Sequence, residues 1–342
     1  MIRVALIGYG LAGRVFHAPL IAATPGLELA AIVSRRQDEI AAAYPGVAVA
    51  TAEAVFADPG IDLVVVATPN DSHFDLAARA LNAGKHVVID KPFALTSAEA
   101  RQLIALARGR IFSVFHNRRW DGDFLTLKQL VQDGTLGDVA FVESRFDMYR
   151  PAVRDRWRER AGPATGTWYD LGAHLLDQAL QLFGMPQAIY ADLAARRSGA
   201  LTTDYFRVLL RYESLRVVLA GNCMTPAATR FVAHGSRASF IKSGLDPQER
   251  QLAAGLRPGD AAYGVEADPA RLVTASGERP VAITRGNYRA YYEGVRDALR
   301  GLIPLPVTAG EALVVMELLE AAERSAAGTH EVVIRPAAAY NP

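Results

Sequence analysis

The sequence predicts an α/β protein of two domains, a doubly wound parallel-sheet domain over residues 1–120 and a second α/β domain over 121–342 whose sheet is mostly antiparallel. Three observations predict it. In the first third, short, almost wholly apolar runs alternate with helical patterns, the mark of βαβ units whose strands are covered on both faces. Beyond about Trp120 strand patterns follow one another over short connections, and a parallel return would need a crossover. At 342 residues the chain is also too long for one ordinary core.

The first domain has strand candidates at Ile2–Ile7, 29–34, 63–68, 87–90 and 111–115. Asn70 or Asp71 is placed to cap a helix that stops at Gly84, and Thr96 with Glu99 forms a capping box for the next. Pro19 falls inside the first helical stretch, which predicts a kink or an end near His17. In the second domain a helix over 121–133 ends at Gly134. Strand patterns follow at 139–147, 188–195, 205–212, 216–222, 231–235 and 238–243. An amphipathic helix over 167–183, closed by Gly184 with Pro186 beyond, interrupts them. Residues 246–268 read as a long loop, and a capping box at Thr308 and Glu311 opens a closing helix to about Ala327. There is no internal repeat.

Composition narrows the function classes. Lys and Arg number 37 against 36 Asp and Glu, which argues against a nucleic-acid or membrane-surface partner. Cys223 is the single cysteine, so no intrachain disulfide and no cysteine zinc site is expected. No His/Asp/Glu group has metal-ligand spacing, and no metal is assigned. No apolar run approaches the ~20 residues of a membrane span, and Met1-Ile2-Arg3 leads straight into a strand. A soluble, cytoplasmic protein is the expectation.

Gly8-Tyr9-Gly10-Leu11-Ala12-Gly13 matches G-x-G-x-x-G directly after a strand and at the start of a helix, the context a Rossmann dinucleotide site requires. Gly8 permits the tight turn, Gly10 the approach of a pyrophosphate, Gly13 close helix–strand packing; the helix start, through Leu11 and Ala12, offers free N–H groups to phosphate. The second strand ends in Ser34-Arg35-Arg36, where an NAD enzyme places Asp or Glu on the ribose 2′-hydroxyl. A carboxylate repels a 2′-phosphate and arginine binds it. NADP is therefore the expected cofactor, with NAD as the alternative.

With Ala67-Thr68-Pro69-Asn70 and a following His73, Asp90-Lys91-Pro92, and Asp170 four residues before His174 on a later helix, the chain resembles the Gfo/Idh/MocA oxidoreductases over nearly its whole length. That resemblance implies a Rossmann domain joined to an α/β domain built on a large open sheet. Asp90 stands where the family's triplet usually has glutamate. A narrower likeness, to the family's NADP-dependent scyllo-inositol dehydrogenases and their uncharacterised bacterial relatives, rests on residues 115–121, 143–147, 156–159 and 168–174.

Asp170 and His174 project from one helix face, and Lys91 follows the C-terminal end of a parallel strand, the edge where α/β folds bind ligands. Oxidising a carbinol carbon requires removal of the hydroxyl proton, which a Lys–His pair can take. The resemblance implies acid/base duty for Lys91 and His174, with Asp170 holding substrate or His174. It further implies cofactor contacts at Thr68, Pro69, Asn70, His73, Asp90, Lys91 and Trp157, the last with Arg156, and substrate contacts at Lys91, Asp170 and His174. Asn117, Arg119 and Trp120, which follow the last strand of the first domain, are placed to touch nicotinamide or substrate. Asp147 and Arg150 are further polar candidates around a polyhydroxylated ligand, Tyr288 and Tyr291 fit core packing better, and His17 reads as structural. The expected reaction is hydride transfer between NADP(H) and a hydroxyl carbon of a cyclic polyol or sugar, in a homodimer or homotetramer packed through the second-domain sheets. The alternatives are an aldose, keto-sugar or biliverdin substrate, or a catalytically silent dinucleotide sensor.

Overall fold

Six parallel strands form the first sheet of the computed structural model, which describes residues 1–226 and 229–335. They are β1 (Ile2–Ile7), β2 (Leu27–Val33), β3 (Ala48–Val49), β4 (Leu63–Val66), β5 (His86–Ile89) and β6 (Phe112–Val114). Their order, β3-β2-β1-β4-β5-β6, is the doubly wound order of a Rossmann sheet and reverses direction between β1 and β4. Helices on both faces explain the unbroken apolar strands; all four residues of β4 are fully buried. The two-residue β3 was too short to read from sequence.

The helix after β1 does not end near His17. Its winding widens to a π-helical stretch over Gly13–His17 and returns to α over Ala18–Ala22. Pro19 is the second residue of that α stretch, directly after the widened turn. Ser72, the last residue of a short 3-10 turn at Asn70–Ser72, directly precedes the helix His73–Asn82, so neither Asn70 nor Asp71 is its cap.

The second sheet has nine strands, three more than the sequence showed. They are β7 (Val139–Arg145), β8 (Ala188–Ala194), β9 (Tyr205–Arg211), β10 (Arg216–Asn222), β11 (Thr229–Gly235), β12 (Ser239–Ser243), β13 (Ala270–Thr274), β14 (Gly277–Val281) and β15 (Val332–Val333). The order is β14-β13-β12-β11-β7-β10-β9-β8-β15, antiparallel throughout except for the parallel pair β7 and β10. β14 carries Pro280, which a strand tolerates at a sheet edge, and β14 is the edge. The helix Ala173–Phe183 buries its first eight residues, and Trp168, just before it, lays its ring 5.2 Å from Phe206 of β9.

Two compact units result. One comprises residues 1–120, 247–264 and 287–313, the other 121–246, 265–286 and 314–342. The chain thus returns twice to the first unit after leaving it, with segments that sequence reading had placed in the second domain. One returning segment holds the helix Gln248–Ala253, where a loop was expected. The other holds the helix Arg289–Leu299, whose Tyr291 and Tyr292, with Tyr288 just before them, are fully buried in the first unit's core. Among the described residues no helix is long and apolar enough to cross a membrane.

Candidate active site

The glycine turn and the loops after β2, β4, β5 and β6 all leave the same C-terminal edge of the parallel sheet. Gly8, at φ +104°, turns the chain out of β1, and its N–H donates to Val33 O at 3.0 Å. A Cβ on Gly8 would lie 2.6 Å from Ala67 O, and one on Gly13 would overlap Gly8 O, whereas one on Gly10 would meet nothing. Two glycines therefore close the turn and one faces open space, the arrangement a pyrophosphate needs. Leu11, at the front of the helix, is 58% exposed.

At the end of β2, Ser34 Oγ accepts the Arg36 N–H at 3.2 Å. Arg35 and Arg36 are both exposed. Arg36 pairs with Glu39 at 3.2 Å on the surface, and Arg35 has no hydrogen bond or ion pair among the described residues.

After β4 and β5 come the loops bearing Thr68-Pro69-Asn70 and Asp90-Lys91-Pro92. His73, only 1% exposed, staples them: its Nδ1 lies 2.9 Å from Pro92 O and its Nε2 2.9 Å from Thr68 O. Sequence reading placed His73 at the cofactor; the structure spends both ring nitrogens on holding two loops together. Asp90 and Lys91 are buried, and Asp90 Oδ1 accepts the Lys91 N–H at 3.0 Å. Burial pushes the Asp90 carboxyl up, but His17, then the Lys91 and His73 charges, pull it below the usual carboxylate range.

After β6, Asn117 is buried in a short 3-10 turn, Asn117–Trp120. Arg119, expected at the substrate, instead gives its guanidinium to Glu311 and to Pro306 O, both at 3.0 Å, and so brackets the returning segment. Tyr288 and Tyr291 do pack in the core, Tyr291 with its hydroxyl 2.8 Å from Ser113 Oγ.

In the second unit Asp170 lies in a π-helical turn, Trp168–Gly172, and His174 in the first turn of the α-helix that continues it. Such wide turns occur preferentially at functional sites. Here the turn is pinned by Trp168 Nε1 donating to Leu319 O at 3.1 Å and by Tyr169 donating to Glu323 at 2.8 Å. His174 is buried; Asp170 is half-buried and pairs with Arg158 Nε at 3.2 Å. Arg158, whose guanidinium also lies over the Trp157 ring at 4.3 Å, was missed, although it sits in a stretch the sequence had marked.

Residues 150–160 are tied down by a buried network. Arg197 reaches Asp204 at 2.9 Å, Glu159 at 3.1 Å, Arg150 O at 2.8 Å and Ala152 O at 3.1 Å. Glu159 also accepts the Arg154 N–H and, at 2.6 Å, Arg156 Nε, so Arg156 is a prop for the turn that carries Trp157. Asp147 is committed to Arg145 and Asn222. Arg150 is half-buried, and burial, then the Arg156 charge, lowers its guanidinium's pKa.

A family model described as the NAD-binding Rossmann fold of the oxidoreductase family matches residues 2–116, and that family's C-terminal α/β domain matches residues 128–334. The chain belongs to the Gfo/Idh/MocA oxidoreductase family. Among Gfo/Idh/MocA relatives, the Escherichia coli K12 protein named uncharacterized oxidoreductase YdgJ is 53% identical, over 95% of this chain and 96% of its own. The scyllo-inositol 2-dehydrogenase (NADP+) IolW of Bacillus subtilis is 40% identical over 95% and 93%. The solved structure of an oxidoreductase from Yersinia pestis superposes with a TM-score of 0.94 at 46% identity, covering 98% of both chains. The match to the NAD-binding Rossmann domain of this Gfo/Idh/MocA oxidoreductase lies wholly in the first unit, whereas the match to the family's α/β domain takes in most of the second unit together with the two segments that return to the first.

Proposed function

We propose that the protein transfers a hydride between NADP(H) and a hydroxyl carbon of a cyclic polyol or sugar, with a scyllo-inositol-like ring favoured. The observation that carries the chemistry is the shared edge: the glycine turn and Lys91 leave the same ends of one sheet, on either side of its order reversal. The choice of ring rests on the name of the IolW relative. NADP is supported by the exposed Arg35, which has no partner among the described residues, and by a serine, Ser34, where a carboxylate would favour NAD.

When bound, the nicotinamide ring supplies the hydride acceptor or donor. The chain's own residues supply position and proton transfer. Gly8, Gly10, Gly13 and the N–H groups at Leu11 and Ala12 hold the pyrophosphate; Ser34, Arg35 and Arg36 hold the 2′-phosphate. Thr68, Pro69, Asn70, Asn117 and Trp157 complete the cofactor contacts. Lys91 and His174 take the hydroxyl proton in oxidation and return it in reduction, and Asp170, held by Arg158, orients the substrate hydroxyls. The protein acts as a dimer or tetramer, which light scattering checks.

The test is NADP and NAD reduction with scyllo-inositol, myo-inositol, glucose and xylose at matched concentrations. The expected result is fastest turnover of an inositol with NADP. An inert scyllo-inositol beside a well-used aldose replaces the ring assignment, and tight NADPH binding with no turnover on any sugar or keto-sugar marks a sensor.

A further inference from the structure

Behind Lys91 lies a buried line of polar groups to which the proposed reaction gives no part. His17 and Tyr292 are both fully buried, and the Tyr292 hydroxyl is 2.6 Å from His17 Nδ1. The other ring nitrogen, Nε2, faces Asp90 Oδ1 at 3.9 Å. That same oxygen accepts the Lys91 N–H. Phe115 packs on the imidazole with ring centroids 4.3 Å apart, and Tyr291 stands edge-on to Tyr292 at 5.3 Å. The line thus joins the helix after β1, the returning helix Arg289–Leu299 and the end of β5.

The protons can be assigned. Burial, then Tyr291 and Asp90, push the Tyr292 phenol well up, so it keeps its proton. Tyr292 has no hydrogen-bond partner other than His17 among the described residues, so donating to Nδ1 is the arrangement that spends this buried proton. With Nδ1 accepting, the ring's own proton sits on Nε2, towards Asp90. A separation of 3.9 Å is too long for a hydrogen bond, but an N–H dipole aimed at a buried carboxylate acts at low dielectric.

We propose that His17, its tautomer set by Tyr292, is a positioning residue that holds the Asp90 carboxylate in place beside Lys91. The proposal rests on the reading of Lys91 as an acid/base group. His73 steadies the same segment from its other side through Pro92 O. The tautomer with its proton on Nε2 is a necessary condition of this role, and an effect on kcat at unchanged KM is the quantity that separates it from space filling.

The experiment uses the full chain with ¹⁵N-labelled histidine, the His17 signal being identified by its loss in His17→Gln. Nε2 protonated and Nδ1 accepting is the expected state, and Tyr292→Phe, which keeps the ring, should lose that preference. A protonated Nδ1 in the unsubstituted protein overturns the proposal. Turnover gives the second readout, with whichever substrate the panel identifies. Gln places its amide nitrogen near the Nε2 position and keeps a donor towards Asp90; Asn reaches only the Tyr292 side. Asn is expected to lower kcat severalfold relative to Gln, less than the roughly tenfold that a full charge-assisted hydrogen bond is worth, with KM unchanged. Equal kcat in the two variants, or a loss confined to KM, also overturns it. Should either variant fail to fold, Tyr292→Phe takes its place and is expected to lower kcat at unchanged KM, with unchanged kcat counting against the proposal. If no substrate is found, the reading of Lys91 fails by itself, and the tautomer still decides the placement of His17.

Discussion

Replacing Arg35 by alanine tests the cofactor assignment most directly, because its cost can be worked from the structure. The Arg35 side chain is exposed and has no hydrogen bond or ion pair to give up among the described residues, so a 2′-phosphate gains its full interaction. A charge-assisted hydrogen bond is worth roughly 1.5–3 kcal/mol, which is about tenfold to 150-fold in kcat/KM. Its neighbour is a weaker contributor. Arg36 must first leave Glu39, with both side chains about half exposed, and such a pair is worth about 0.2–1 kcal/mol. Kinetics with both cofactors should therefore show the NADP-to-NAD preference falling by that factor in Arg35→Ala, by less in Arg36→Ala, with kcat for NAD little changed. An unsubstituted enzyme that prefers NAD, or an unchanged ratio in Arg35→Ala, refutes the reasoning.

Lys91→Ala and His174→Ala should each lower kcat by about 10²–10⁴ while leaving NADPH affinity, read by fluorescence titration, nearly intact; full activity in either removes that residue from the mechanism. Gly172→Ala would drive a methyl into the buried Trp168 ring, so a loss of about 1–3 kcal/mol and a lower melting temperature are expected. Arg197→Met leaves the buried Glu159 and Asp204 carboxylates without their shared partner, which should cost about 3–5 kcal/mol in urea unfolding. Glu159 also predicts a pH dependence: burial pushes its carboxyl up, but the Arg154 N–H, Arg156 and Arg197 hold it below the usual range. A carboxyl depressed in the folded state stabilises fully above its unfolded value, near about 4.3, and loses that stabilisation as pH falls through its folded value. Unfolding free energies from about pH 7 to about pH 3 should fall accordingly, and less steeply in Arg197→Met.

Local rules made much of this protein legible before any coordinates. The glycine turn and the capping box at Thr308 and Glu311 depend on neighbours a few residues apart, and the box is present: the Glu311 N–H donates to Thr308 Oγ1 at 3.1 Å, and the Thr308 N–H to Glu311 Oε2 at 2.8 Å. Apolar periodicity likewise located β7 to β12, because burial on a sheet face imposes its period on the sequence. Three strands of the second sheet escaped for local reasons as well: β15 is two residues long, β14 carries Pro280, and Ser276-Gly277 in the hairpin between β13 and β14 was a turn signal passed over.

What only the tertiary structure decided is the use to which each polar side chain is put. Nothing within a few residues of Arg119 announces Glu311, nothing near His17 announces Tyr292, and nothing beside His73 announces Pro92 O. Those partners are brought together by the chain's return to the first unit after residue 286 and by the adjacent ends of β4 and β5. Sequence pattern records which residue types chemistry requires and the period at which a face is buried. A long-range hydrogen bond leaves no period, because each partner satisfies its own burial cost through a residue whose distance along the chain is arbitrary.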